Sequence, residues 1–111
     1  MKFKAINRNS EFIRGYKKGK TAVKPGVVVY VLKNRYGGTR IGITSSKKIG
    51  NAVRRNRSRR VIRAAVRELG LDMTKPYDLI FVARTRTAKL KTPQVTAMIN
   101  ERLSETGYYD A

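Results

Sequence analysis

Between Gly50 and Gly70 the chain passes no glycine and no proline, and this uninterrupted stretch constrains the fold more than any other. Asn51 is a residue type whose side-chain oxygen bonds an orphan backbone N–H at a helix start. Gly70 stands where a left-handed C-terminal cap is expected. Ser58, Val61, Ile62, Ala65, Val66 and Leu69 recur at steps of three and four, so a helix gathers them on one face. Arg59, Arg60, Arg63 and Arg67 then fall on the opposite face. Arg54, Arg55 and Arg57 crowd the first turns, where the helix dipole disfavours cations. Local physics argues against so many arginines there unless an anion comes to meet them.

The charge of the whole chain points the same way. Its 111 residues carry 26 Lys and Arg against 7 Asp and Glu, a formal net charge of +19. A chain of this length is a single domain, residues 1–111, with a modest core. A compact body so charged repels itself and favours a polyanion. From Phe12 to Arg67 there is no carboxylate, while 17 of the 26 basic residues lie there. A scattered excess would read as a solvated face; an acid-free block this long reads as a nucleic-acid surface.

Chemistry by the chain itself is not expected. It has no Cys and no His, which removes thiolate ligands, a cysteine nucleophile and an imidazole base. A protein nuclease needs a general base, or carboxylates that hold metal ions on the phosphate. Glu11, Glu68, Asp72, Asp78, Glu101, Glu105 and Asp110 show no paired metal-ligand spacing. Asp78 and Glu68 read as each balancing a neighbouring arginine. No catalytic residue and no protein metal site are therefore assigned. Lys18-Gly19-Lys20 is too short for a phosphate loop. No apolar run approaches the roughly 20 residues of a membrane span. The start, MKFKAINRNS, lacks the apolar segment of a signal peptide. No membrane partner is expected, and the cytoplasm is the default.

Taken in order, Met1 to Asn9 reads as extended and poorly ordered. Asn9 or Ser10 caps a short helix that runs to about Lys18 and stops at Gly19, with Glu11 near its positive end. Ile13 is assigned to the core. Phe12 and Tyr16, one turn apart among Arg14, Lys17 and Lys18, read equally as core or as a platform on which bases stack. Thr21 to Lys24 is a short strand ended by Pro25-Gly26. Val27 to Leu32 is a β-branched central strand, with Val27, Val29 and Val31 on one face and Val28, Tyr30 and Leu32 on the other. Tyr36-Gly37-Gly38 is a turn, and Thr39 to Ser45 returns as the second strand of an antiparallel hairpin. In it Ile41 and Ile43 point one way and Arg40, Gly42 and Thr44 the other; Gly42 permits a close backbone approach. Leu71 to Pro76 is a loop, and Tyr77 to Ala83 (YDLIFVA) a buried strand. Arg84, Arg86, Lys89 and Lys91 sit in a polar loop. Thr92 caps a last helix with Pro93 at its first position and a stripe of Val95, Met98, Ile99 and Leu103. Gly107 ends that helix, and Tyr108 to Ala111 is a tail. The fold class is α+β: a two-layer α/β sandwich of order α-β-β-β-α-β-α with a βαβ crossover. Chain geometry alone predicts a right-handed crossover.

The stretch KKIGNAVRRNRSRRVIR closely resembles the signature of the protein subunit of bacterial ribonuclease P. Its centre is Arg55-Asn56-Arg57, followed by Arg60 and Arg63. Phe12 and Tyr16, the strand around Tyr30, and YDLIFVAR fall in the family's order, so the resemblance covers nearly the whole chain. It departs at Ser58, where the family usually has an aliphatic residue, and this puts the packing there in question. The resemblance implies a left-handed crossover, like that of the second domain of a small-subunit ribosomal protein. It implies a partner, a large catalytic RNA, and a substrate, precursor tRNA, whose 5′ leader the complex removes by magnesium-assisted hydrolysis. Mg2+ would serve the RNA-based holoenzyme. Carried onto this chain, Arg54, Arg55, Asn56, Arg57, Arg60 and Arg63 would contact the catalytic RNA. Phe12, Tyr16 and Tyr30 would line the leader cleft, with Lys47 and Lys48 near the junction. Arginine suits the first group, because its planar fork bridges phosphate oxygens and stacks on bases.

The alternative is a structural or ribosomal RNA-binding protein without a substrate role. DNA is not expected as a partner, because a strand precedes the arginine helix where a helix-turn-helix needs a helix.

Overall fold

The computed structural model describes residues 4–22 and 26–110. Among these residues five strands form one sheet: β1 (Lys4–Ala5), β2 (Lys20–Ala22), β3 (Val27–Lys33), β4 (Arg40–Ser45) and β5 (Tyr77–Ala83). Three helices accompany them: α1 (Asn9–Lys18), α2 (Ala52–Leu69) and α3 (Thr92–Glu105). Apart from β1 and three single 3-10 turns, this is the expected order. The expected strand end at Val23 to Pro25, like Met1 to Phe3, lies outside the described residues.

β3 and β4 do not form a hairpin. The sheet order is β1-β4-β5-β3-β2, and β5 lies between them, antiparallel to β3 and parallel to β4. YDLIFVA is buried along most of its length on both faces, so it needs a neighbour on each side. The connection from Asn34 to Thr39 is long enough to step over one strand, two spacings of about 4.8 Å. β4, α2 and β5 form the βαβ unit.

One face of the sheet carries the main core. Val29, Phe81 and Ile43 share one row across β3, β5 and β4; Val31, Leu79 and Ile41 share the next. α2 packs over β4 and β5, and α3 over β3, bringing Ile62, Ala65, Val66, Val95, Ile99 and Leu103 onto these rows. Ser58 is fully buried in the same face, and its hydroxyl donates to the Arg55 carbonyl at 2.8 Å. That bond back into the helix satisfies the hydroxyl where an aliphatic group would have none to satisfy. The caps of α2 stand as expected: Asn51 Oδ1 accepts from the Arg54 N–H at 3.0 Å, and Gly70 adopts the left-handed conformation at φ 59°.

α1 crosses the opposite face, over the row Tyr30–Ile80–Gly42. Tyr16 rests on Tyr30, Gly15 on Ile80, and Phe12 on Gly42. The close approach at Gly42 is by the Phe12 ring rather than by backbone. Gly15 is the point where the helix touches the sheet, so Ile13 turns outward at 43 % exposure, contrary to its assignment to the core. Gly15→Ala should destabilise the fold by about 1–3 kcal/mol, because its Cβ meets Ile80 Cδ1 and overpacks the seat. The gain in helix propensity, about 1 kcal/mol, offsets only part of this. Thermal melts checked against Ile80→Val and the double variant should show the second substitution relieving the first. An undiminished melting temperature in Gly15→Ala alone would mean that α1 is not seated through this glycine.

Four further expectations are corrected. From Lys4 onward the N-terminal segment is not loose: β1 pairs with β4, and Ile6 is buried with its N–H donating to the Ile41 carbonyl at 2.9 Å. That anchorage starts α1 early, so Arg8 holds the N-cap position without a side-chain cap, and neither Asn9 nor Ser10 serves. At α3 the N-cap position is Lys91, not Thr92; Gln94 Oε1 reaches back to accept from the Lys91 N–H at 2.9 Å. Tyr108 is no tail residue. It is a core side chain in a 3-10 turn, edge-on to Tyr77 with centroids 5.6 Å apart, and Lys75 Nζ donates to its carbonyl.

Candidate nucleic-acid interface

Two surfaces meet at the end of the sheet where β4 and β5 finish. Ser46 N–H donates to the Ala83 carbonyl at 2.9 Å, tying the exit of β4 to that of β5. A 3-10 turn, Lys47–Ile49, follows; Ser46 Oγ accepts from the Lys48 N–H, and buried Ile49 anchors the turn in the core. Lys47 and Lys48 are thereby held exposed between the sheet end and the start of α2.

On α2, Arg54, Asn56, Arg57 and Arg60 are exposed, and Arg55 and Arg63 are half-buried. Two of these side chains have partners within the protein. Arg57 Nε donates to the Ala88 carbonyl at 3.2 Å, in a 3-10 turn (Thr87–Lys89) of the loop after β5. Buried Thr87 builds that turn: its hydroxyl accepts from the Arg84 N–H at 2.9 Å and donates to the Gly26 carbonyl. Asn56 Oδ1 accepts from Arg59 Nη2, so this asparagine orients an arginine that the sequence places on the charged face but not among the RNA contacts. Arg57 and Arg60, with Val61 and Thr92, border a shallow recess of about 210 Å³.

The second surface is a recess of about 310 Å³ beside α1, lined by Tyr16, Tyr30, Thr44, Ser45, Ser46, Val82 and Arg84. Tyr16 and Tyr30 have centroids 5.0 Å apart, and Phe12 follows Tyr16 at 6.4 Å. Burial, and then the neighbouring Tyr30, push the Tyr16 phenol up from its ordinary value, so it stays a neutral donor at neutral pH. Phe12 stands back from the recess, over Gly42. Thr44, Ser45, Ser46, Val82 and Arg84 were not anticipated. Thr44 and Val82 share a row with Val28, one step beyond Tyr30 on the same face. Alternation along YDLIFVA finds Val82 once β5 is known to lie beside β3; the hairpin expectation hid it.

The acidic groups near α1 are occupied. Asp78 accepts from Arg40 Nε at 2.9 Å and Nη2 at 2.7 Å, and Glu11 accepts from Arg40 Nη1 at 2.6 Å. Asn34 Nδ2 adds a bond to Asp78 at 2.8 Å. Asp78 does balance an arginine; Glu68 instead accepts from the Thr96 hydroxyl. Among the described residues no three His, Cys, Asp or Glu side chains gather where a metal ion fits, and no helix is long and apolar enough to cross a membrane.

A family model described as Ribonuclease P matches residues 1–107. A ribonuclease P protein component of Clostridium botulinum is 36 % identical over 111 residues, covering 99 % of this chain and all of that one. Another, from Clostridioides difficile, is 37 % identical, covering 93 % of this chain and 91 % of its own. The structure of the Staphylococcus aureus RNase P protein superimposes with a TM-score of 0.79 at 34 % identity, covering 93 % of this chain and 94 % of that one.

Proposed function

The chain belongs to the ribonuclease P protein family, and from that premise we propose a division of labour between its two surfaces. As a ribonuclease P protein component it serves a ribonucleoprotein of tRNA processing, an endoribonuclease. In our reading the start of α2 binds the catalytic RNA through Arg54, Arg55, Asn56, Arg57, Arg60 and Arg63. The recess beside α1 takes the 5′ leader of precursor tRNA, with Tyr16 and Tyr30 stacking bases and Lys47 and Lys48 meeting phosphates between the two RNAs. Phe12 supports Tyr16 from behind.

The observation that carries this reading is adjacency. An aromatic recess of about 310 Å³ lies at the same end of the sheet as the arginine helix, with Lys47 and Lys48 between them. A purely structural RNA-binding protein has no need of such a recess beside its arginine surface.

Catalysis is assigned to the RNA. The chain has no histidine, and Glu11 and Asp78, the acids near α1, are held by Arg40. These carboxylates do not fit the Mg2+ that the reaction needs, so the ion is placed on the RNA. The cytoplasm is the compartment of such a particle. The test is reconstitution. Protein with magnesium alone should leave precursor tRNA intact, and adding the catalytic RNA should release the leader. Robust cleavage by RNA-free protein, abolished by one carboxylate substitution, would overturn the assignment.

A further inference from the structure

At the opposite end of the same sheet face, across α1 from the recess, the β3–β4 connection presents another aromatic. Tyr36 is 59 % exposed, yet its ring is not loose. The Arg40 guanidinium lies 3.9 Å from its centroid, and Arg40 is itself fixed by Asp78 and Glu11. The Tyr36 N–H donates to Asn34 Oδ1 at 3.0 Å, which pins the turn. An exposed ring clamped on one side by an immobilised cation has little freedom left to lose when a base stacks on it.

The surroundings suit a polyanion. A recess of about 280 Å³ here is lined by Arg14, Leu32, Lys33, Asn34, Arg35, Tyr36 and Asp78. Its one carboxylate, Asp78, accepts from Arg40 and Asn34; Arg40 also serves Glu11, so Asp78, Glu11 and Arg40 together keep one negative charge against the three cations Arg14, Lys33 and Arg35. Exposed Arg14 and Lys17 on the outer side of α1 continue the cationic surface back toward Tyr16, and Glu11, the acid of that helix, is engaged beneath it by Arg40.

We propose that Tyr36, with Arg14, Lys33 and Arg35, is a second stacking site for single-stranded RNA that receives the distal part of a long leader after it leaves the Tyr16–Tyr30 recess and crosses α1. This rests on the leader reading above and extends it. The occupant is a phosphodiester strand with one unstacked base, because the site joins one ring to three cations and offers no enclosed apolar volume.

The test measures affinity of reconstituted holoenzyme for mature tRNA, for precursor with a short leader and for precursor with a long leader. Wild-type protein should gain affinity at each step. Tyr36→Ala should keep the short-leader gain and lose about tenfold for the long leader, the worth of one base stack. Tyr36→Phe should retain the long-leader affinity, because the ring remains. If wild type gains with the short leader but not further with the long one, or if Tyr36→Ala keeps the full gain, the second site is overturned and the recess reading stands. If wild type gains from neither leader, both fall. A loss of catalytic-RNA binding in Tyr36→Ala would assign the patch to that RNA and overturn the proposal.

Discussion

Replacing Arg54, Arg55, Arg60 and Arg63 together by alanine should lower affinity for the catalytic RNA by on the order of 10³-fold near physiological salt, with no loss of fold stability. Each phosphate neutralised releases condensed counterions, so each lost contact removes about one from the slope of log affinity against log salt. Four contacts should flatten that slope by about four. Arg57 is left in place because it also holds the Ala88 turn, and its removal would mix binding with structure. The stability control has a definite sign. α2 has no acidic residue in its first turn, so Arg54 and Arg55 oppose the helix dipole in the free protein. Alanine there relieves that opposition and has the best helix propensity, so the variant should melt no lower than the parent. A clearly lower melting temperature would mean that these arginines hold the fold together. An unchanged salt slope in a folded variant would show that they do not meet phosphate.

The arginine helix was legible because its information is local. The period of Val61, Ile62, Ala65, Val66 and Leu69, the Asn51 cap and the Gly70 stop all act within the segment, and the observed helix keeps those limits. Strand positions from β2 onward were legible for the same reason, but β1 and the strand neighbours were not. Inserting β5 between β3 and β4 depends on which run must be covered on both faces, a comparison between distant segments. The same limit hid the floor of the recess, since Thr44 and Val82 become neighbours of Tyr30 only through the sheet order. Gly15 was overlooked because a glycine in a helix reads as a weakness, whereas here its missing Cβ gives Ile80 room. Tyr108 was missed because a glycine before a short polar end resembles a terminus, and only the packing against Tyr77 and Lys75 reveals it as core.

Removing the recess aromatics should separate substrate selection from assembly. Tyr16→Ala and Tyr30→Ala should each cost leader-bearing precursor about 1–3 kcal/mol of affinity, the usual worth of a base stacked on an aromatic ring. The pair shares one site, so the double variant should lose less than the sum. Affinity for mature tRNA should stay close to that of the parent, because without a leader nothing enters the recess. Binding of the catalytic RNA should also hold, since α2 packs on the other face of the sheet. Phe12 is a poorer probe: its ring fills the space over Gly42, so Phe12→Ala also loosens the seat of α1. Tyr16→Phe keeps the ring and removes the phenol, which tells stacking from hydrogen bonding. Because burial raises the Tyr16 pKa above its ordinary value near 10, the phenol is neutral throughout the physiological range. Leader affinity should therefore be flat from about pH 6 to 9 as far as Tyr16 is concerned, falling only where the phenolate forms and repels phosphate. The deciding quantity is the ratio of leader-bearing to mature affinity, measured on holoenzymes whose protein has passed a melting check. A ratio unmoved by Tyr16→Ala and Tyr30→Ala together would remove the leader from this recess while leaving the arginine helix its RNA.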